Sequence, residues 1–125
     1  MGKIIVEAGA YPQKHEFYTA EVLALAYGNI IFRKQVYKFG AKNPDILMGG
    51  ILWEIKSPKT RKMSGIEQCL KRASKQSAYI IVDSGRVKGL KDDNILKFLE
   101  NKVRKQKTIK RLIFVNKGRE IFDIK

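Results

Sequence analysis

The stretch from Pro44 to Lys56 restricts the fold more than any other part of the chain. Gly49-Gly50 separates two apolar runs, Ile46-Leu47-Met48 and Ile51-Leu52-Trp53. A Gly-Gly pair between such runs predicts a β-hairpin with a two-residue primed turn, whose central residues need positive φ. Counting outward from that turn sets the register. Met48 faces Ile51, Leu47 faces Leu52, Ile46 faces Trp53, and Asp45 faces Glu54. Directly opposed side chains lie about 5 Å apart on one sheet face. Lys56 lies two residues past Glu54 and shares that face. Two carboxylates and a lysine therefore meet at one end of an apolar hairpin. Opposed like charges destabilise a sheet. A divalent cation removes that penalty, because Mg²⁺ is typically held by one or two carboxylates together with phosphate oxygens.

The rest of the chain supplies elements to cover this hairpin. Lys3–Val6 is a short β-segment ended by Tyr11-Pro12. Residues 15–27 form a helix with Phe17, Ala20, Ala24 and Tyr27 on one stripe and Val22 and Leu25 beside it. Gly28-Asn29 stops it. Residues 30–39 are β-rich. Ser64-Gly65-Ile66-Glu67 has the spacing of a capping box and opens a helix to Gln76. Ile66, Cys69, Leu70 and Ala73 are its buried stripe, with Lys71, Arg72 and Lys75 off it. Residues 78–82 form an apolar strand. Asp92-Asp93 starts a helix to Lys105, with Ile95, Leu99 and Val103 inward. Residues 112–115 and 120–124 flank Lys117-Gly118 as a second hairpin. This order implies one α/β domain over residues 1–125, with a mixed central sheet flanked by helices.

Charge is distributed unevenly. Residues 1–54 carry 6 basic and 5 acidic side chains, and residues 55–125 carry 20 and 7, so nearly all of the net +14 lies in the second part. Such an excess points to a polyanionic partner, with nucleic acid ahead of a membrane surface because the basic residues span several elements. Lys59, Arg61 and Lys62 form a basic loop just beyond Lys56, placed to track phosphates. Lys71, Arg72 and Lys75 add a basic helix face. Residues 97–111, with Lys102 and Lys105 among seven basic side chains against Glu100, form a candidate backbone-binding surface. His15 reads as an exposed residue at a helix start. Cys69 is the sole cysteine, so no internal disulfide or cysteine zinc cluster is available, and its place on the buried stripe makes it inert. The apolar run at the start is too short for a signal peptide, and no stretch reaches the length of a membrane span. A cytosolic working compartment is expected.

Pro44-Asp45 followed by Glu54-Ile55-Lys56, with an upstream helix bearing Glu16, resembles the PD-(D/E)XK nuclease superfamily over residues 14–82. The resemblance implies a restriction-endonuclease-like αβββαβ core and metal-dependent phosphodiester hydrolysis. Asp45, Glu54 and the Ile55 carbonyl would ligate Mg²⁺ or Mn²⁺. Lys56 would orient or deprotonate the attacking water. Glu16 would be the helix carboxylate near the metal, with Glu21 the alternative. Gln76 resembles a glutamine that family members place near the scissile phosphate. Within the superfamily the phrases around Gly49-Gly50 and Gln68–Asp83 look most like the C-terminal nuclease toxin domains of contact-dependent growth inhibition systems. That likeness implies cleavage of transfer RNA or DNA, an acidic immunity protein as partner, and delivery as part of a larger secreted protein. A non-catalytic nucleic-acid-binding module of the same fold, and a DNA nuclease like the Holliday-junction resolvases, are the rival readings.

Overall fold

The structure, a computed structural model, describes residues 2–35 and 44–125. The hairpin forms as the Gly-Gly pair dictates. Strands β3 (Ile46–Met48) and β4 (Ile51–Lys56) pair antiparallel with Ile46 opposite Trp53, Leu47 opposite Leu52 and Met48 opposite Ile51. Gly49 and Gly50 take φ of 59° and 76°, a backbone that a Cβ would strain.

Around it lie β1 (Ile4–Val6), α1 (Lys14–Tyr27), β2 (Ile30–Phe32), α2 (Met63–Gln76), β5 (Tyr79–Asp83), α3 (Asp92–Lys105), β6 (Arg111–Val115) and β7 (Ile121–Asp123). Among the described residues the strands make one seven-stranded sheet in chain order, β1 to β7. β1–β2, β4–β5 and β5–β6 are parallel; β2–β3, β3–β4 and β6–β7 are antiparallel. The αβββαβ order from α1 to β5 is the one expected.

The strand period of two splits the core into two layers. Trp53, Ile55, Ile81, Ile113 and Val115 pack with Ala20, Leu23 and Ala24 of α1. Ile80, Val82, Leu112 and Phe114 pack with Ile66, Leu70 and Ala73 of α2 and Ile95, Leu99 and Val103 of α3. Glu54 and Lys56 alternate with Trp53 and Ile55, so they belong to the face covered by α2. Strands β4, β5 and β6 run in parallel and end on one side of the sheet, at Lys56, Asp83 and Val115. Helices α2 and α3, as crossovers, begin on that side and end on the opposite one. Helix α1, leaving β1 and returning to β2, also begins there.

Three local expectations change. The buried residues of α1 are Thr19, Ala20, Leu23 and Ala24, while Leu25 is 68% exposed and Tyr27 37%. The helix is apolar on nearly every side, so composition alone does not select its stripe. Ser64 is not a cap: α2 begins at Met63 after Lys62, and Glu67 pairs with Lys102 and Lys71 instead. The Glu at the third position of a helix bonding back to the cap occurs in α1, where the Gln13 N–H donates to Glu16 Oε1 at 2.7 Å. Of the β-rich segment 30–39, the described residues 30–35 form a strand over Ile30–Phe32; residues 36–39 lie outside the described residues.

Candidate functional site

A cleft of about 510 Å³ opens where β4 ends and α1 and α2 begin, and Asp45, Glu54, Ile55, Lys56 and Glu16 all line it. Asp45 precedes β3 and faces Glu54 across the ladder. Its Oδ2 accepts the Ile55 N–H at 2.8 Å. Lys56 Nζ lies 3.1 Å from Glu54 Oε2. The second oxygen of Glu54, Oε1, is buried and accepts no hydrogen bond among the described residues.

This arrangement holds its carboxyls away from their ordinary acidity. Burial, and then the Glu54 charge, push Asp45 up to about 7. Burial also raises Glu54, against the pull of Lys56. Each is the response of a carboxyl in low dielectric beside a like group. A cation answers both costs at once: it compensates the paired charges and gives the orphaned Glu54 Oε1 a partner. The donor set, two hard carboxylates with the Ile55 carbonyl adjacent in sequence, suits Mg²⁺ or Mn²⁺. No group of three His, Cys, Asp or Glu side chains among the described residues gathers as a metal site. Glu16 shares the cleft but leaves the donor set at two carboxylates, and one of its oxygens is engaged by the Gln13 N–H. Glu21 is exposed and lines a separate cavity, so of the two helix carboxylates Glu16 is the one facing the pair.

The cleft also gathers residues that the sequence did not single out for it. Gln68, Cys69 and Gly65 of α2 form its wall beside Arg72. Cys69 is half-buried at this wall and not sealed in the core; burial pushes its thiol up, so it stays protonated. His15 is partly buried rather than exposed, with Arg86 Nη1 at 3.0 and 2.9 Å from its two ring nitrogens. Burial and the Arg86 charge lower its pKa, which keeps the ring neutral near pH 7.

The basic residues divide by their end of the sheet. Lys59 and Arg72 line the cleft itself, and Arg61 and Lys62 line a cavity next to it. Gln76 and Lys75 lie in the last turn of α2 and Lys105 in the last turn of α3, on the side of the sheet away from the carboxylates. Gln76 therefore does not line the cleft; Gln68, two turns earlier on α2, does. Lys102 is bound at 2.6 Å to Glu67, which also pairs with Lys71. Helix direction decides this: a crossover helix leaving β4 brings its first turns, not its last, to the end of β4. Among the described residues no helix is long and apolar enough to cross a membrane.

The family profile described as "Contact-dependent growth inhibition CdiA C-terminal domain" matches residues 42–121, well over half of the chain. Among solved structures the chain is similar to a component of the "CdiA-CT/CdiI toxin and immunity complex from Burkholderia pseudomallei". The TM-score is 0.72 with 19% sequence identity, over 98% of this chain and 99% of that one. At that identity the likeness is one of fold: three helices on a seven-stranded mixed sheet. No curated protein matches the sequence.

Proposed function

The chain belongs to the contact-dependent growth inhibition CdiA C-terminal domain family, and from that premise we propose that it is a toxin domain acting as a metal-dependent nuclease of PD-(D/E)XK type. The observation that carries the reading is the Asp45–Glu54 pair at one end of a hairpin, with Lys56 on the same face, Asp45 half-buried, and Glu54 buried with one oxygen left without a partner among the described residues. A structural role does not require this cluster, which costs stability in the folded chain.

Asp45, Glu54 and the Ile55 carbonyl would hold Mg²⁺ or Mn²⁺, which when bound would supply Lewis-acid polarisation of a phosphoryl oxygen. Asp45 is oriented by the Ile55 N–H, which fixes it against β4. Lys56 places a positive charge where negative charge develops as the phosphodiester is attacked, and its ammonium can order the attacking water. Glu16, anchored by the Gln13 N–H, faces the same space and is a candidate to orient that water. Arg72 and Lys59 at the cleft wall neutralise the flanking phosphates. The substrate class is nucleic acid, as transfer RNA or DNA, and the acting compartment is the cytosol of a recipient cell. An immunity protein with an acidic face is the proposed partner, by analogy with the complex to which the fold is similar.

One gel tests the reading. The protein is incubated with total transfer RNA and with plasmid DNA, each with Mg²⁺, Mn²⁺ or EDTA, beside the Lys56→Ala variant. Discrete metal-dependent fragments from one substrate, absent in the variant, are expected. Retardation of both substrates with cleavage of neither replaces the enzyme with a binding module.

A further inference from the structure

Beside the cleft lies a second cavity of about 480 Å³, lined by Lys59, Thr60, Arg61, Lys62, Arg86 and Lys88. Five of these six residues are cationic and none is acidic. The cavity adjoins the cleft, with Lys59 and Thr60 lining both. None of its five cations takes part in an ion pair among the described residues, whereas Lys56, Lys71, Lys102, Arg111, Lys117 and Arg119 all do. Such a concentration of unpaired charge costs the folded state self-repulsion, which a polyanion relieves.

The cavity is built, not left between loose loops. The Lys88 N–H donates to the Thr60 carbonyl at 3.0 Å, tying the loop after β5 to the loop after β4. Between Arg86 and Lys88, Val87 is only 2% exposed and packs into the core under α2 and α3. On the other wall the Lys62 N–H donates to Thr60 Oγ1 at 3.1 Å. Gly65 sits against that hydroxyl so closely that a Cβ would overlap it. Arg86 rests on His15, a ring held neutral, so the pair keeps the full guanidinium charge. Helix α2 starts directly after Lys62 and turns the positive end of its dipole to the same place.

We propose that this two-loop cavity is a phosphate-binding subsite, which holds the sugar-phosphate backbone of a nucleic-acid strand as it leaves the Asp45–Glu54 pair, with Arg86 as its inner anchor. The inference rests on the nuclease reading for its substrate class. It narrows the nucleic-acid surface to one track and removes the end of α3 from it. Arginine suits the anchor position because its planar fork meets two phosphate oxygens at once.

The test is fluorescence anisotropy of the whole chain in EDTA, with a fluorescein-labelled single-stranded RNA of about 15 nucleotides and its DNA counterpart, titrated at salt from about 50 to 300 mM. Arg86→Gln and Lys88→Gln are each expected to weaken binding about fivefold or more and to lower the slope of log affinity on log salt by about one. Arg86→Lys should keep the slope and lose part of the affinity. Arg104→Gln and Lys105→Gln, at the far end of α3, should change neither. Circular dichroism of each variant guards against misfolding. Wild-type affinity and slope in both Arg86→Gln and Lys88→Gln would overturn the subsite while leaving the nuclease reading intact. Failure of the wild-type chain to bind either oligonucleotide would likewise overturn the subsite, while the cleavage gel decides the nuclease reading separately.

Discussion

Lys56 Nζ stands 3.1 Å from Glu54 Oε2, with the lysine side chain 30% exposed and the glutamate 7%. The pair is asymmetric: the carboxylate is fixed under α2, while the ammonium reaches into the cleft. An ion pair made only for stability gains little when one partner is this open. The exposed end of Lys56 is instead available to a substrate.

Lys56→Ala therefore separates chemistry from binding. Loss of a positive group at the developing charge is expected to lower the cleavage rate by about 100-fold or more. Affinity for nucleic acid should hold, because one of 26 basic side chains is lost. Single-turnover cleavage and anisotropy on the same preparation measure the two; equal losses in both would make Lys56 a binding residue.

Asp45 predicts a dependence of stability on pH. Its carboxyl stands at about 7 in the folded chain against an ordinary 3.8. A raised folded-state pKa means that the folded chain binds the proton more tightly than the unfolded one. Its contribution to stability is thus full below the ordinary value and is lost as the pH rises through about 7. Asp45→Asn keeps an acceptor for the Ile55 N–H and cannot ionise. In EDTA the variant should melt above the wild type at about pH 8, with the gap closing as the pH falls towards 4. A gap that is constant across that range would mean that Asp45 does not titrate differently in the two states.

Divalent cation should reverse that order. Mn²⁺ held by the folded pair, as proposed, would stabilise it by about 2.7 kcal/mol at a hundredfold excess over its dissociation constant. Wild-type protein is expected to gain melting temperature with Mn²⁺ and to lose it on chelation. Asp45→Asn and Glu54→Gln should show little gain. A shift of equal size in all three proteins would assign the cation to some other place.

The sequence revealed the hairpin to the residue, because a Gly-Gly turn fixes register and register fixes which side chains meet. Asp92-Asp93 and the Ile95, Leu99, Val103 period likewise set α3 at Asp92–Lys105. What it concealed has three physical sources. Helix α1 is apolar almost all round, so its periodicity puts Tyr27 on the inward stripe with Leu25 beside it and passes over the buried Leu23. The family resemblance puts Gln76 near the scissile phosphate, and charge alone puts Lys75 and Lys105 on the nucleic-acid surface; crossover direction carries all three to the other end of the sheet. Contacts of long separation leave no local pattern: His15 meets Arg86 across 71 residues.

Asp83 is the clearest such case and carries the last prediction. It lies at the end of β5 with 3% exposure. Its Oδ1 accepts from Arg119 Nη1 at 3.0 Å and from the Gly85 N–H at 2.7 Å. Its Oδ2 accepts from Arg119 Nη2 at 2.9 Å and from the buried Thr19 hydroxyl of α1. One carboxylate thus joins α1, the loop after β5, and the β6–β7 turn, where Arg119 takes a φ of 62°. Thr19→Val removes one donor and leaves the fork, so it should cost about 1 kcal/mol. Arg119→Ala strips both guanidinium bonds from a buried charge and should cost about 2–3 kcal/mol; it keeps the Cβ, so the left-handed backbone gains no relief. Urea unfolding of both variants measures this. Arg119→Ala costing no more than Thr19→Val would show that water replaces the guanidinium, and that Asp83 is held chiefly from the α1 side.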